Sequence, residues 1–117
     1  MISERVERVR VGVEAPLLVT KPVNVGYLTR LQSSNAAVLV EPDRLRLFTD
    51  FRYVEKARLL GLEVTVVPRN LFTNLPEHLP PRVEFEAEHL SYAAWAELDR
   101  AGIELVPRTS SWRASER

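Results

Sequence analysis

A three-residue pattern, glycine then an apolar residue then glutamate, occurs three times in this chain, as Gly12-Val13-Glu14, Gly61-Leu62-Glu63 and Gly102-Ile103-Glu104. Each copy follows a helix-like segment and precedes an apolar, strand-like one. Glycine enters the left-handed region at little steric cost, so it closes a helix at the C′ position, and the next apolar residue packs back on the last helical turn. Three of the four glycines serve in this way. Nothing else recurs at a fixed period, so this is one local device used three times rather than a sequence repeat. It requires helix to alternate with strand.

The helical segments have matching apolar faces. Ser3 is placed to cap a first helix whose face is Val6 and Val9, with Ile2 before it. A second is expected from about Arg52 to Leu60, with Tyr53, Ala57 and Leu60 at i, i+4 and i+7. A third follows Ser91 as N-cap, with Ala94, Trp95, Leu98 and Ala101 on one side and Glu97, Asp99 and Arg100 on the other. Strands are expected at Pro16 to Thr20, Glu63 to Val67 and Glu104 to Val106, directly after the glycine devices. Runs apolar on both faces suit strands buried between helices. Ala36 to Val40 and Leu45 to Phe48 flank Glu41-Pro42-Asp43-Arg44, a turn with proline in second place, and form an antiparallel hairpin. Arg82 to Phe85, introduced by Pro80-Pro81, is a shorter strand with a partial apolar face.

These elements give one α/β domain with a three-layer arrangement, a mixed β-sheet with helices on both faces. The stretch from Pro68 to Pro81 holds Pro68, Pro76, Pro80 and Pro81, and is expected to be a loop with at most one helical turn after Asn70. The tail from Thr109 gives Trp112 no apolar companion and looks like the first turn of something continuing outside this chain. At 117 residues there is length for a single core. Lys plus Arg (16) equals Asp plus Glu (16), so no net field draws nucleic acid or an anionic membrane to the chain. No cysteine is present, which excludes disulfides and thiolate metal sites. Met1 to Arg10 is charged rather than apolar, unlike a signal peptide, and no run approaches the roughly 20 apolar residues a membrane helix needs. The expectation is a soluble cytoplasmic domain without nucleic-acid or membrane partners.

Several segments resemble one family. Pro22-Val23-Asn24-Val25-Gly26-Tyr27-Leu28-Thr29 is similar to the P-x-N-x-x-Y-L-T segment of creatinase/prolidase N-terminal domains. Ser33-Ser34-Asn35-Ala36-Ala37-Val38-Leu39-Val40 resembles the strand that follows it. Leu47-Phe48-Thr49-Asp50-Phe51-Arg52-Tyr53 is similar to the family's L-x-T-D-x-R-Y, the most specific match. Phe85-Glu86-Ala87-Glu88-His89-Leu90-Ser91-Tyr92 looks like its F-E-x-x-x-x-x-Y segment, and Trp112-Arg113-Ala114 falls where the family has L-R-x-x-K. The chain departs from the pattern twice. Arg30-Leu31 stands where the family usually has Gly-Phe, and Glu84 where it has a glycine.

The resemblance implies a ribonuclease-H-like N-terminal domain over residues 1–111, with 112–117 starting a linker helix to a catalytic "pita-bread" domain that is absent from this chain. It implies that the parent protein is an Xaa-Pro metallopeptidase with two divalent ions (Mn, Co or Zn) on two Asp, one His and two Glu of that other domain. This chain would then be non-catalytic and without a cofactor of its own. It would cap the cleft, restrict access to short Xaa-Pro peptides and mediate homodimer contacts. Aminopeptidase P, prolidase and creatinase differ mainly in the absent domain. The alternative is a free-standing binding module that kept the fold without peptidase activity.

The residues themselves offer little chemistry. His78 and His89 lie in different segments with no partner at ligand spacing, and read as solvated surface histidines rather than metal ligands. No Gly-x-Ser-x-Gly surrounds a serine, and no two glycines are close enough to cradle phosphate. Nuclease chemistry needs a carboxylate cluster for two ions, and Asp50 with Glu86 does not make one. Asp50 stands where a strand enters a helix, so it can cap that helix, with Arg52 and Tyr53 facing the sheet edge or a partner. The other reading of these three residues is that they line a neighbouring cleft. Asn24 can cap a turn from Val25 to Thr29 with Tyr27 half buried; the resemblance implies instead that this loop lies near the mouth of an active site, where both would meet the substrate's N-terminal end. Arg30 puts a large cation in the loop after them. Glu84, Glu86, Glu88 and His89 read as a solvated connection, and Trp95 as core.

Overall fold

The computed structural model describes residues 16–108 apart from 34, 43 and 69. Six strands form one mixed sheet: β1 (Leu17–Val19), β2 (Ala36–Glu41), β3 (Arg44–Thr49), β4 (Val64–Val66), β5 (Arg82–Glu86) and β6 (Glu104–Arg108). Between them lie α1 (Pro22–Thr29), α2 (Val54–Leu59), α3 (Leu71–Asn74), a 3₁₀ turn at Pro76–His78, and α4 (Tyr92–Arg100). The spatial order is β4-β3-β2-β1-β5-β6. β1 is parallel to β5 and antiparallel to β2, while β3 is antiparallel to β2 and parallel to β4. β6 completes the sheet parallel to β5. This is the mixed sheet expected from the sequence.

Alternation along the strands sends successive side chains to opposite layers. Leu17, Val19, Val38, Val40 and Leu47 pack under α1 and α2 with Val25, Leu28 and Ala57. Leu18, Ala37, Leu39, Phe48 and Val83 pack under α3 and α4 with Leu71, Leu75 and Leu98. Two apolar layers on one sheet are what strands apolar on both faces require.

The two glycine devices within the described residues behave as expected. Gly61 and Gly102 have φ of 78° and 93°. In each, the glycine N–H returns to a carbonyl three residues back (Arg58, Asp99; both 3.0 Å) and the next N–H returns five back (Ala57, Leu98; both 3.2 Å). That pair of bonds satisfies carbonyls a helix end would leave orphaned. Leu62 and Ile103 are buried directly after. Gly12, the Ser3 helix, Trp112 and the boundary at 112 lie outside the described residues.

The hairpin closes with Glu41 paired to Arg44. Ser91 caps α4, its Oγ accepting from the Ala94 N–H at 3.1 Å. Other expectations need correction. Ala101 is exposed, because α4 ends there and the chain turns away. Trp95 is half buried and stacks on exposed Tyr92, ring centroids 6.1 Å apart. The 68–81 loop holds α3 after Asn70, as expected, plus the 3₁₀ turn. The α1 helix was not expected at all. Its Pro22 is at N1, which suits a helix start, but its apolar residues are spread round the helix and form no single face.

At the sheet's outer edge, the Glu104 N–H donates inward to Pro81 at 2.8 Å. Backbone groups alternate sides along a strand, so Leu105 and Pro107 turn theirs outward.

Candidate functional site

All parallel strands end at one edge of the sheet, where antiparallel β2 begins. The six residues singled out from the sequence lie along this edge or on α1 beside it. They fall into three groups rather than one site.

The first group is built on Glu86, the last residue of β5. Its Oε1 accepts from the backbone N–H of Thr20 (2.7 Å) and Lys21 (2.8 Å), and its Oε2 accepts from Asn24 Nδ2 at 2.5 Å. The parallel pairing of β1 with β5 brings Thr20 and Glu86 to the same edge. Lys21 is the N-cap of α1 and its side chain makes no capping bond. A carboxylate from another strand therefore holds the chain as it enters the helix, where negative charge is favoured. Asn24 and Glu86 are each 7% exposed. Asn24 is thus a buried partner of Glu86, not the cap of a turn. The acidic connection is likewise not uniformly solvated. Glu86 is buried and Glu84 is paired with Arg108 at 2.6 Å, while Glu88 and His89 are exposed.

The second group surrounds Asp50, which is fully buried. Its Oδ1 accepts from the Arg52 backbone N–H and Nε, both at 2.9 Å, and its Oδ2 accepts from Arg52 Nη2 at 2.8 Å and Asn35 Nδ2 at 2.7 Å. The forked contact with Arg52, reinforced by Asn35, holds the Asp50 carboxyl well below the usual carboxylate range despite burial. The same contact pushes Arg52 up. The guanidinium also lies 5.2 Å from the Tyr53 ring centre. Asp50 does not cap the helix. Its carbonyl accepts the Tyr53 N–H at 3.1 Å, closing a turn, and α2 starts only at Val54. Asn35, which sequence reasoning did not single out, bridges the strand ends: its carbonyl accepts from the Thr49 hydroxyl at 2.7 Å. An Asn just before an apolar strand was the available signal. Thr20 of the first group and Asn35 of the second border one cavity of about 310 Å³, with Leu71, Phe72, His89 and Leu90.

The third group is a groove of about 550 Å³ along α1, lined by Pro22, Val23, Tyr27, Arg30, Gln32 and Ser33 among others. Tyr27 is half buried, as expected. Arg30 closes α1 with φ 65° and ψ 10°, its N–H bonded to the Gly26 carbonyl at 2.7 Å. Among the described residues it is the one non-glycine at positive φ. The left-handed region costs an L-residue about 1–2 kcal/mol, a cost that glycine would not carry.

Among the described residues no group of three or more His, Cys, Asp and Glu could hold a metal ion. His78 is half buried, tilted against Phe48 at 5.7 Å and 3.3 Å from Glu77, rather than a fully solvated surface residue. No helix among the described residues is long and apolar enough to cross a membrane.

Solved structures share this architecture. An Xaa-Pro dipeptidase from Bacillus anthracis superposes with a TM-score of 0.84 at 22% identity, over 94% of this chain and 34% of that one. This chain thus spans about a third of that dipeptidase. An N-terminal creatinase/prolidase-like domain from Corynebacterium diphtheriae matches at 0.80 and 26% identity, covering 95% of this chain and 98% of that one. The N-terminal domain of cytoplasmic peptidase PepQ from Mycobacterium tuberculosis H37Rv matches at 0.77 and 25%, covering 92% and 94%. No curated protein matches the chain. The family model described as Creatinase/Prolidase N-terminal domain matches residues 7–113. With nearly its whole length matched and the mixed six-stranded sheet in place, the chain belongs to the creatinase/prolidase N-terminal domain family.

Proposed function

We propose that this chain is the non-catalytic N-terminal domain of an Xaa-Pro metallopeptidase of the aminopeptidase P or prolidase type. The observation that carries the reading is the family match over residues 7–113. It is supported by the likeness to about a third of an Xaa-Pro dipeptidase, which leaves room for a catalytic domain beside a domain of this kind. Residues 1–111 form the domain and 112–117 begin the linker helix. The two divalent ions belong to the catalytic domain. The domain caps the cleft, limits entry to short Xaa-Pro peptides and contributes to a homodimer, in the cytoplasm. Tyr27 and Arg30 on the α1 groove are its substrate-facing or partner-facing residues. Asp50, Arg52 and Tyr53 hold the strand end next to α2, and Asn24 holds α1 from beneath.

The test is direct. The purified chain, given Xaa-Pro peptides with Mn²⁺ or Co²⁺, is expected to release no product, and clear turnover would overturn the reading. The reading frame after Arg117 gives a second check. Continuation into a domain with the Asp, Asp, His, Glu and Glu ligands supports it, whereas a stop codon supports the free-standing binding module.

A further inference from the structure

We propose that the flank of α4 carrying Tyr92 and Trp95 is a docking surface for this chain's own residues 109–117, with Trp112 as the apolar anchor. The inference does not rest on the peptidase reading, because the occupant is part of the chain itself. Tyr92 is 80% exposed, and its ring stacks on Trp95 with the planes 20° apart. A third ring laid on such a pair gains both buried apolar area and stacking.

Helix geometry fixes which way that flank points. Tyr92, Trp95 and Asp99 stand at i, i+3 and i+7, so they share one stripe of α4. Ala94 and Leu98 take the buried side. Glu97 takes the flank that meets α3, where its carboxylate accepts from the Thr73 hydroxyl at 3.4 Å. The aromatic stripe therefore faces away from α3. On that side lies β6, the last strand of the sheet, with no described element beyond it. Leu105 of β6 packs into the α4 layer, so Pro107, two residues on, points to the same side, and it is exposed.

Residues 109–117 leave the sheet from this margin. Arg108 ends β6, and its carbonyl accepts from the Ala87 N–H at 3.1 Å. From Ala87 the chain turns back into α4, the N–H groups of His89 and Leu90 both returning to the Glu86 carbonyl at 3.1 Å. The exit from β6 is thus held beside the turn that delivers Tyr92. Trp112 is four residues past Arg108, and four residues span at most about 14 Å. It is the one aromatic residue in that segment. A ring tethered this close meets the stack at a far higher local concentration than a second copy would supply. Charge agrees with it. Arg113 follows Trp112, while Asp99 on the stripe and Glu88 in the turn are exposed and hold no ion pair among the described residues. Arg100 is turned to Glu97 on the other flank.

Trp95 and Trp112 are the two tryptophans of the chain, so Trp95→Phe keeps a ring in the stack and leaves Trp112 as the single reporter. In that full chain the Trp112 emission is expected to lie to the blue of N-acetyltryptophanamide and to resist quenching by acrylamide. Tyr92→Ser in the same background should return both to the values of the free compound, and it spares the core because Tyr92 is exposed. In the ¹⁵N-labelled chain, Trp112→Ser should move the amides of Tyr92, Trp95 and Asp99 while those of Leu47 and Phe48 stay in place. Emission that matches the free compound, protection that survives Tyr92→Ser, or α4 amides indifferent to Trp112→Ser would each overturn the docking. Effects that fade on dilution would overturn it as well, and would assign the contact to a second copy.

Discussion

The Glu86 carboxylate accepts a 2.5 Å hydrogen bond from the Asn24 side chain across 62 positions of sequence, tying the end of β5 to the first turn of α1. With the N–H groups of Thr20 and Lys21 on the same carboxylate, one residue anchors the start of the helix that carries the groove.

Glu86→Ala should therefore lower stability by roughly 3 kcal/mol, because it strands donors that are buried or partly buried. Glu86→Gln should cost less, since the amide oxygen still accepts from the backbone and the Asn24 amide can turn so that its Oδ1 accepts from the new NH₂. Urea unfolding of the three chains gives the comparison, and equal midpoints for wild type and Glu86→Ala would show the clamp to be inert.

The Asp50 cluster sets an acid limit. The folded-state carboxyl is held below its unfolded value by Arg52 and Asn35. The stability this contributes is fully present above the ordinary carboxylate range, about pH 4, and is lost as pH falls below it toward the depressed folded value. Asp50→Asn should be less stable than wild type at neutral pH and should show a flatter fall in acid. Denaturant midpoints measured down a pH series decide this, and parallel curves would remove Asp50 as a source of the acid sensitivity.

Arg30→Gly should raise stability by about 0.5–1 kcal/mol, the relief of a left-handed arginine less the entropy glycine adds to the unfolded chain. Thermal melts read it directly. A drop would mean that the arginine side chain supports the fold.

Gly61→Ala and Gly102→Ala should each cost about 1 kcal/mol. An added methyl would meet nothing within 4 Å at either position. The loss would come from backbone conformation alone, so substituting serine should cost much the same as alanine. A much larger loss at either site would point to crowding instead.

The sequence made the framework legible where local chemistry and position agree. The glycines at 61 and 102, the Pro42 turn and the Ser91 cap each act within a few residues, and each appears where expected. The α1 helix was missed because the pairs Val23/Tyr27 and Val25/Leu28 fall on opposite faces, so no single apolar stripe stands out. The site was read only in part. Asp50 and Arg52 are two residues apart and were recognised together, although their bond closes a turn rather than capping a helix. Glu86 was taken as solvated because its partners, Thr20, Lys21 and Asn24, come from another strand and the helix after it. Only the parallel pairing of β1 with β5 brings them together, and composition carries no trace of that.

The outward-facing backbone of β6 has a further effect. Leu105 supplies the one outward N–H within that strand, because Pro107 has none. A foreign strand laid along this border would find too few donors to build a ladder. The opposite border, β4, is only three residues long. Among the described residues, both margins of the sheet thus offer little backbone for a further strand to pair with.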